Sequence, residues 1–311
     1  METPLSFWIA FNAGILVLLL LDLFVFHRSA HEIRPREALI GSLIWIALSM
    51  GFCGFVWYWK GADKGLEFFT GYLIEYSLSV DNIFIFVLIF THFKVPREYQ
   101  HTVLFWGVLG ALVMRGIMIG VGVVLVQRFH WVMYVFGAFL VITGLRMFFQ
   151  KEDDDAHLEN IWVFRWAKKV FPFTNAYEGK RFVVHKNGQR FFTPLMLVLI
   201  MVESTDLIFA LDSIPAIFSV TKDPFIVYTS NVCAVLGLRS LYFLLASFMQ
   251  KFIFLKAGLA VVLSFVGIKM LIADFYEIPT IISLSVIGAV LITAIVTSVF
   301  VSRWIENKKR D

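Results

Sequence analysis

Residues 66–90 read LEFFTGYLIEYSLSVDNIFIFVLIF, and the fold turns on how that stretch is read. It exceeds the roughly 20 apolar residues that a helix needs to cross a bilayer, yet it holds Glu75, Asp81 and Asn82 well inside its ends. The surrounding composition explains the run. Of 311 residues, 59% are hydrophobic and 16% charged, with a mean hydropathy of +0.80. A soluble domain carries roughly 45–50% apolar and about 25% charged residues. These proportions exclude a soluble enzyme, a nucleic-acid-binding module and a disulfide-rich secreted domain. Both cysteines, Cys53 and Cys233, lie in apolar runs, so there is neither a disulfide framework nor a thiolate metal cluster. The chain reads as all-α, a polytopic helical membrane protein forming a single transmembrane domain over 1–311.

Apolar runs predict about nine transmembrane helices, at 5–26, 38–58, 66–91, 102–127, 131–150, 193–219, 226–250, 256–273 and 279–302. No Lys or Arg precedes the first run, and Arg28, Arg34 and Arg36 follow it, which predicts an N-out, C-in chain rather than a cleavable signal. On that orientation 20 Lys and Arg fall inside and 4 outside, the other three (Arg115, Arg239, Lys269) lying within spans. This is the positive-inside bias, and it accounts for the pI of about 9.0. The long cytoplasmic loop, about 151–192, opens on a solvated acidic run, Glu152 to Asp155. Next comes an amphipathic interfacial helix around Trp162 to Val170, and then a β-hairpin turning at Asn187-Gly188.

Charge in the hydrocarbon region is costly, so intramembrane carboxylates are functional candidates. The third span carries Glu75, Asp81 and Asn82; the sixth carries Glu203, Asp206 and Asp212. Glu75 and Asp81 are six apart, as are Asp206 and Asp212, and each second acid sits in a small polar pair, Asp81-Asn82 or Asp212-Ser213. The following spans each place an arginine, Arg115 or Arg239, after a Val-Leu-Gly step ending at Gly110 or Gly237. The units begin three spans apart and so run oppositely through the bilayer. They predict an inverted repeat of helices 3–5 and 6–8, with a site at the midplane between the halves. At about 100° per residue Glu75, Ser79 and Asn82 share one helix face, and Asp206 shares one with Ser213. Asp81 and Asp212 lie off those faces. Unwinding at Pro215, which frees the carbonyl of Leu211, would turn Asp212 inward.

Five deep acids against two deep arginines leave a formal −3, to be matched by a bound cation or by protons. Glu75, Asp81, Asn82, Glu203, Asp206 and Asp212 are the candidate metal ligands. Ser79, Thr205, Ser213, Asn231, Arg115 and Arg239 are candidate supporting residues. With no His or Cys nearby, this hard oxygen set suits Mn, Mg or Ca and does not choose among them. No catalytic residue is assigned: an intramembrane enzyme would need a nucleophile–base pair, and no deep His exists. Pairing of the acids with the arginines for structure alone, and a proton relay without metal, are the other readings.

The motifs Glu75-Tyr-Ser-Leu-Ser-Val-Asp-Asn82 and Ser204-Thr-Asp-Leu-Ile-Phe-Ala-Leu-Asp-Ser-Ile-Pro-Ala-Ile-Phe218 resemble the TerC family of integral membrane proteins. So do Thr229 to Tyr242, Lys186-Asn-Gly188, Thr193 to Val198 and Gly267 to Leu271, which spreads the resemblance along nearly the whole chain. The resemblance implies export of Mn2+ as the transported substrate, with no organic cofactor, from a bacterial cytoplasmic (inner) membrane, and a functional role for the acids of both motifs. It also implies an alternative, a membrane partner in metalation or assembly of exported proteins without transport of its own. Expected partners are the lipid bilayer, a divalent cation and exchanging protons, and not nucleic acid.

Overall fold

A computed structural model describes residues 3–21, 35–129, 131–149, 172–174, 176–186, 189–246, 254–276 and 278–308. Ten helices and one hairpin follow in order: α1 (Leu5–Leu21), α2 (Pro35–Lys60), α3 (Ala62–His92), α4 (Arg97–Arg128), α5 (Val132–Phe149), β1 (Val183–Lys186), β2 (Gln189–Phe192), α6 (Pro194–Phe218), α7 (Pro224–Leu236), α8 (Leu238–Ala246), α9 (Leu255–Leu271) and α10 (Thr280–Lys308). Helix starts obey local chemistry. Pro194 and Pro224 occupy first-turn positions whose N–H would go unbonded anyway. Asp223 caps α7 by accepting from the backbone N–H of Phe225 at 3.0 Å and of Ile226 at 3.4 Å. The chain is an all-α polytopic membrane protein.

Every expected apolar run carries helix, but the runs do not all cross equally. Among the described residues α2, α3, α4, α5, α6 and α10 are long and apolar enough to span, and α7 with α8, bent by 40° at Gly237, would make a seventh. The described parts of α1 and α9, 17 residues each, cover about 26 Å of the roughly 30 Å hydrocarbon core. By length and composition the described residues thus supply six or seven helices that can span. Large apolar side chains such as Ile9, Leu43, Ile117, Ile142 and Ile292 face outward, the pattern of a chain solvated by lipid.

Several polar contacts between elements mark the two ends of the bundle. At one, the Lys60 ammonium lies 2.7 Å from Asp223 and 2.6 Å from the Thr3 hydroxyl, Thr221 donates to Glu67, and Tyr134 donates to Asp274. At the other, Tyr177 donates to the carbonyl of Phe93 at 2.7 Å and Tyr242 to Gln100 at 3.0 Å. Chain segments alternate between the ends as an up-and-down bundle requires.

The bundle also packs as a repeat would. α3 packs on α7 and α4 on α6, while α3 with α6, α4 with α7 and α5 with α9 pack as mutual pairs. That set is unchanged when α3, α4 and α5 are exchanged with α6, α7 and α9. α3 and α6 are antiparallel: Glu67 meets Thr221, Gly71 meets Ile217, and Asn82 meets Asp206. α5 and α9 cross where Gly137 and Gly267 face one another; a Cβ on either would lie 3.0 or 2.7 Å from the other's carbonyl oxygen. Such contact needs glycine, as close helix crossings in membranes do.

In the loop, β1 and β2 pair antiparallel with Lys186 opposite Gln189. The turn residues Asn187 and Gly188 lie outside the described residues, as do the acidic run and the amphipathic segment within 151–171.

Candidate functional site

The deep residues of α3, α4, α6 and α7 meet in one buried cluster centred on Arg115. Its side chain is fully enclosed. Nε donates to Asp206 Oδ2 at 3.1 Å and Nη2 to Oδ1 at 2.8 Å, a two-toothed fork. Nη1 pairs with Glu75 and reaches Asn231 Oδ1 at 3.4 Å. The Asn231 amide donates to the second oxygen of Glu75 at 2.9 Å, and the Asn82 amide to Asp206 at 3.5 Å. One guanidinium thus bridges two carboxylates from oppositely directed helices.

The predicted faces explain who is present. Glu75, Ser79 and Asn82 are all buried on one face of α3, as are Asp206 and Ser213 on α6. Ser213 lies beside Glu75 as Asn82 lies beside Asp206. A shift of 131 positions relates Glu75 to Asp206 and Asn82 to Ser213, so the two contacts are each other's repeat counterparts.

Other candidates stand elsewhere. Asp212 is half-buried, off the cluster, beside Thr143 of α5. The unwinding that would have turned it inward is absent: α6 is helical through Pro215 to Phe218. The proline lies so near the helix end that its missing N–H costs one bond and the rest of the ladder continues, and buried unwound backbone would cost several. The backbone of Asp81 is helical, but its side chain lies outside the described residues. Thr205 turns its hydroxyl to the Val202 carbonyl of its own helix at 2.8 Å. Arg239 borders a cavity of about 10 Å³ that it shares with Asp206, Gly107, Ala111, Val202 and Phe86.

Glu203, one turn before Asp206, presses against the backbone of α4. A Cβ on Gly110 would lie 2.6 Å from its carboxyl carbon. Glu203 Oε2, Asn82 Oδ1 and Ser79 Oγ are buried without a hydrogen-bond partner. Ser213 Oγ is unmatched as well, and the oxygens of Asn82, Ser79 and Ser213, on the faces that carry Glu75 and Asp206, are of the kind that a hard cation prefers. Among the described residues no three His, Cys, Asp or Glu side chains gather closely enough to hold a metal ion. Sequence reasoning missed two residues. Gly110 was visible only as part of the Val-Leu-Gly step, with nothing to show that it makes room for Glu203. Glu67, two turns along α3 from Glu75, accepts from Thr221 and from Lys64 at 2.6 Å, and its place near a span end concealed it.

Comparison with known proteins places this site in context. The profile described as Integral membrane protein TerC family matches residues 60–310. An uncharacterised membrane protein of Myxococcus xanthus is 51% identical over 98% of this chain and 95% of its own. Alx of Escherichia coli K12, described as a candidate membrane-bound redox modulator, is 46% identical over 96% of each chain. A membrane protein of Rickettsia bellii is 40% identical over 94% of this chain and 96% of its own. No solved structure matches.

Proposed function

This chain belongs to the TerC family of integral membrane proteins, and from that premise we propose that it exports a divalent cation, Mn2+, across a bacterial inner membrane. The observation that carries the reading is the meeting of Glu75 and Asp206, from antiparallel helices, inside a buried cluster that keeps vacant oxygens at Asn82 and Ser79. A carboxylate pair at the interface of opposed repeats is where alternating access would place its cargo site. Hard oxygens favour Mn, Mg or Ca, and the family resemblance selects manganese. Protons are the counter-ion in this reading, because the deep acids outnumber the deep arginines by three and that excess must be neutralised whenever the metal has left. The basic-residue bias sets the chain N-out and C-in, with the 151–192 loop in the cytoplasm. The chain acts without enzyme chemistry of its own.

A second reading has one observation in its favour: Arg115 already satisfies both central carboxylates. In that reading the acids only hold helices together, and the protein is a membrane partner in metalation or assembly of exported proteins. The redox description attached to Alx finds less support in this chain. Its two thiols, Cys53 and Cys233, are unpaired and buried.

Mn2+ flux in inverted membrane vesicles tests the proposal. Uptake that needs a pH gradient is expected. Uptake equal to that of vesicles lacking the protein, with the protein inserted, selects the second reading.

A further inference from the structure

Resting on the transport reading, we propose that Arg115 is a resident stand-in cation. Its guanidinium occupies the position of the transported ion between Glu75 and Asp206, and the incoming ion displaces it toward Glu203.

The geometry requires a choice. The two central carboxylates spend three of their four oxygens on Arg115, and the fourth, on Glu75, accepts from Asn231. A divalent ion reaching those oxygens with the guanidinium still in contact would set like charges a few ångströms apart in a medium of low dielectric constant. The ion and the guanidinium therefore exclude one another. The same oxygens serve both, and Asn82 Oδ1 and Ser79 Oγ, buried without donors, are oxygens that a metal ion can use directly. A planar guanidinium engaged in its fork leaves them unmatched.

A further carboxylate lies near the helix of Arg115. Helical side chains lean toward the N-terminus of their helix, which directs Arg115 along the turn holding Gly107, Gly110 and Ala111. That turn is built from small residues. It borders a cavity of about 10 Å³ beside Asp206 that Arg239 also lines, room for roughly one water molecule, so the guanidinium moves by shifting neighbouring side chains rather than into existing space. Glu203 rests on the same turn with its Oε2 buried and unmatched. A displaced guanidinium would find there a carboxylate with a buried oxygen that lacks a donor.

The test is Mn2+ binding to purified protein in detergent, read by the electron paramagnetic resonance signal of free Mn2+ and by the Mn2+-induced shift in melting temperature. Arg115→Gln removes the competitor, so Mn2+ should bind roughly tenfold tighter and stabilise the variant more than the parent. If that variant does not fold, Arg115→Lys holds fewer oxygens and should still bind Mn2+ more tightly than the parent, about threefold. Glu203→Gln removes the second anchor and should weaken Mn2+ binding roughly tenfold. A parent that binds Mn2+ while neither arginine variant binds it more tightly overturns this inference alone. Unchanged affinity in Glu203→Gln overturns the role given to Glu203. A parent that binds no Mn2+ overturns the transport reading and this inference with it.

Discussion

Arg115 and Arg239 sit in corresponding helices after the same Val-Leu-Gly step, but their surroundings differ. In the first half α4 runs unbroken for 32 residues, Gly110 lies within it, and Arg115 five residues later forks Asp206 and pairs with Glu75. In the second half the helix breaks at Gly237 with a 40° bend, and Arg239 follows two residues later beside the small cavity on the far side of Asp206. Glu75 and Asp206 obey the repeat, while the arginines enter it at different distances from the glycine, five residues in one half and two in the other. One central arginine shared by both acids gives a site that is held together and still has vacant oxygens.

The largest effect should come from removing that shared arginine. Arg115→Ala leaves two buried carboxylates uncompensated and should cost about 3–5 kcal/mol, whereas Arg239→Ala should cost about 1–2 kcal/mol. Thermal denaturation of the two variants in one detergent checks the order, and equal losses would erase the distinction between the halves. Next come two of the three acids of α6. Asp206→Asn should reduce Mn2+ flux about 100-fold, close to 2.7 kcal/mol, while Asp212→Asn, at a half-buried position beside Thr143, should stay within about threefold. A larger loss in Asp212→Asn would move the site toward α5. The smallest contrast lies in the glycines. Gly110→Ala must push the Glu203 carboxylate aside and should cost about 1 kcal/mol with a measurable loss of flux. Gly237→Ala meets nothing closer than 3.5 Å, so its flux and melting temperature should match the parent's.

Much of this could be read from residue order, for physical reasons. Apolar runs report helices because lipid forbids unpaired backbone, and β1 and β2 pair on either side of Asn187-Gly188 because that dipeptide suits a tight turn. The 100° period placed Glu75, Ser79 and Asn82 on one buried face and kept Asp212 off the face of Asp206. Periodicity is silent on partners. It could say that Arg115 was deep but not that one guanidinium would serve two acids from opposite halves. It could not say that Gly110 makes room for Glu203, since a glycine in an apolar run looks the same whether or not a side chain rests on it. The expected unwinding at Pro215 failed because one proline near a helix end is cheaper to accommodate than a stretch of bare buried backbone. All nine apolar runs carry helix among the described residues, but apolarity alone does not reveal where α1, α7, α8 and α9 end.

Anomalous X-ray scattering from Mn2+-soaked crystals of the parent protein tests the central claim most directly. The account predicts a manganese peak between the carboxylates of Glu75 and Asp206, within coordination distance of Asn82 Oδ1, with the Arg115 guanidinium withdrawn toward Glu203. A manganese peak at Asp212, or a saturated crystal in which Arg115 still bridges both acids and no peak lies between them, would contradict it.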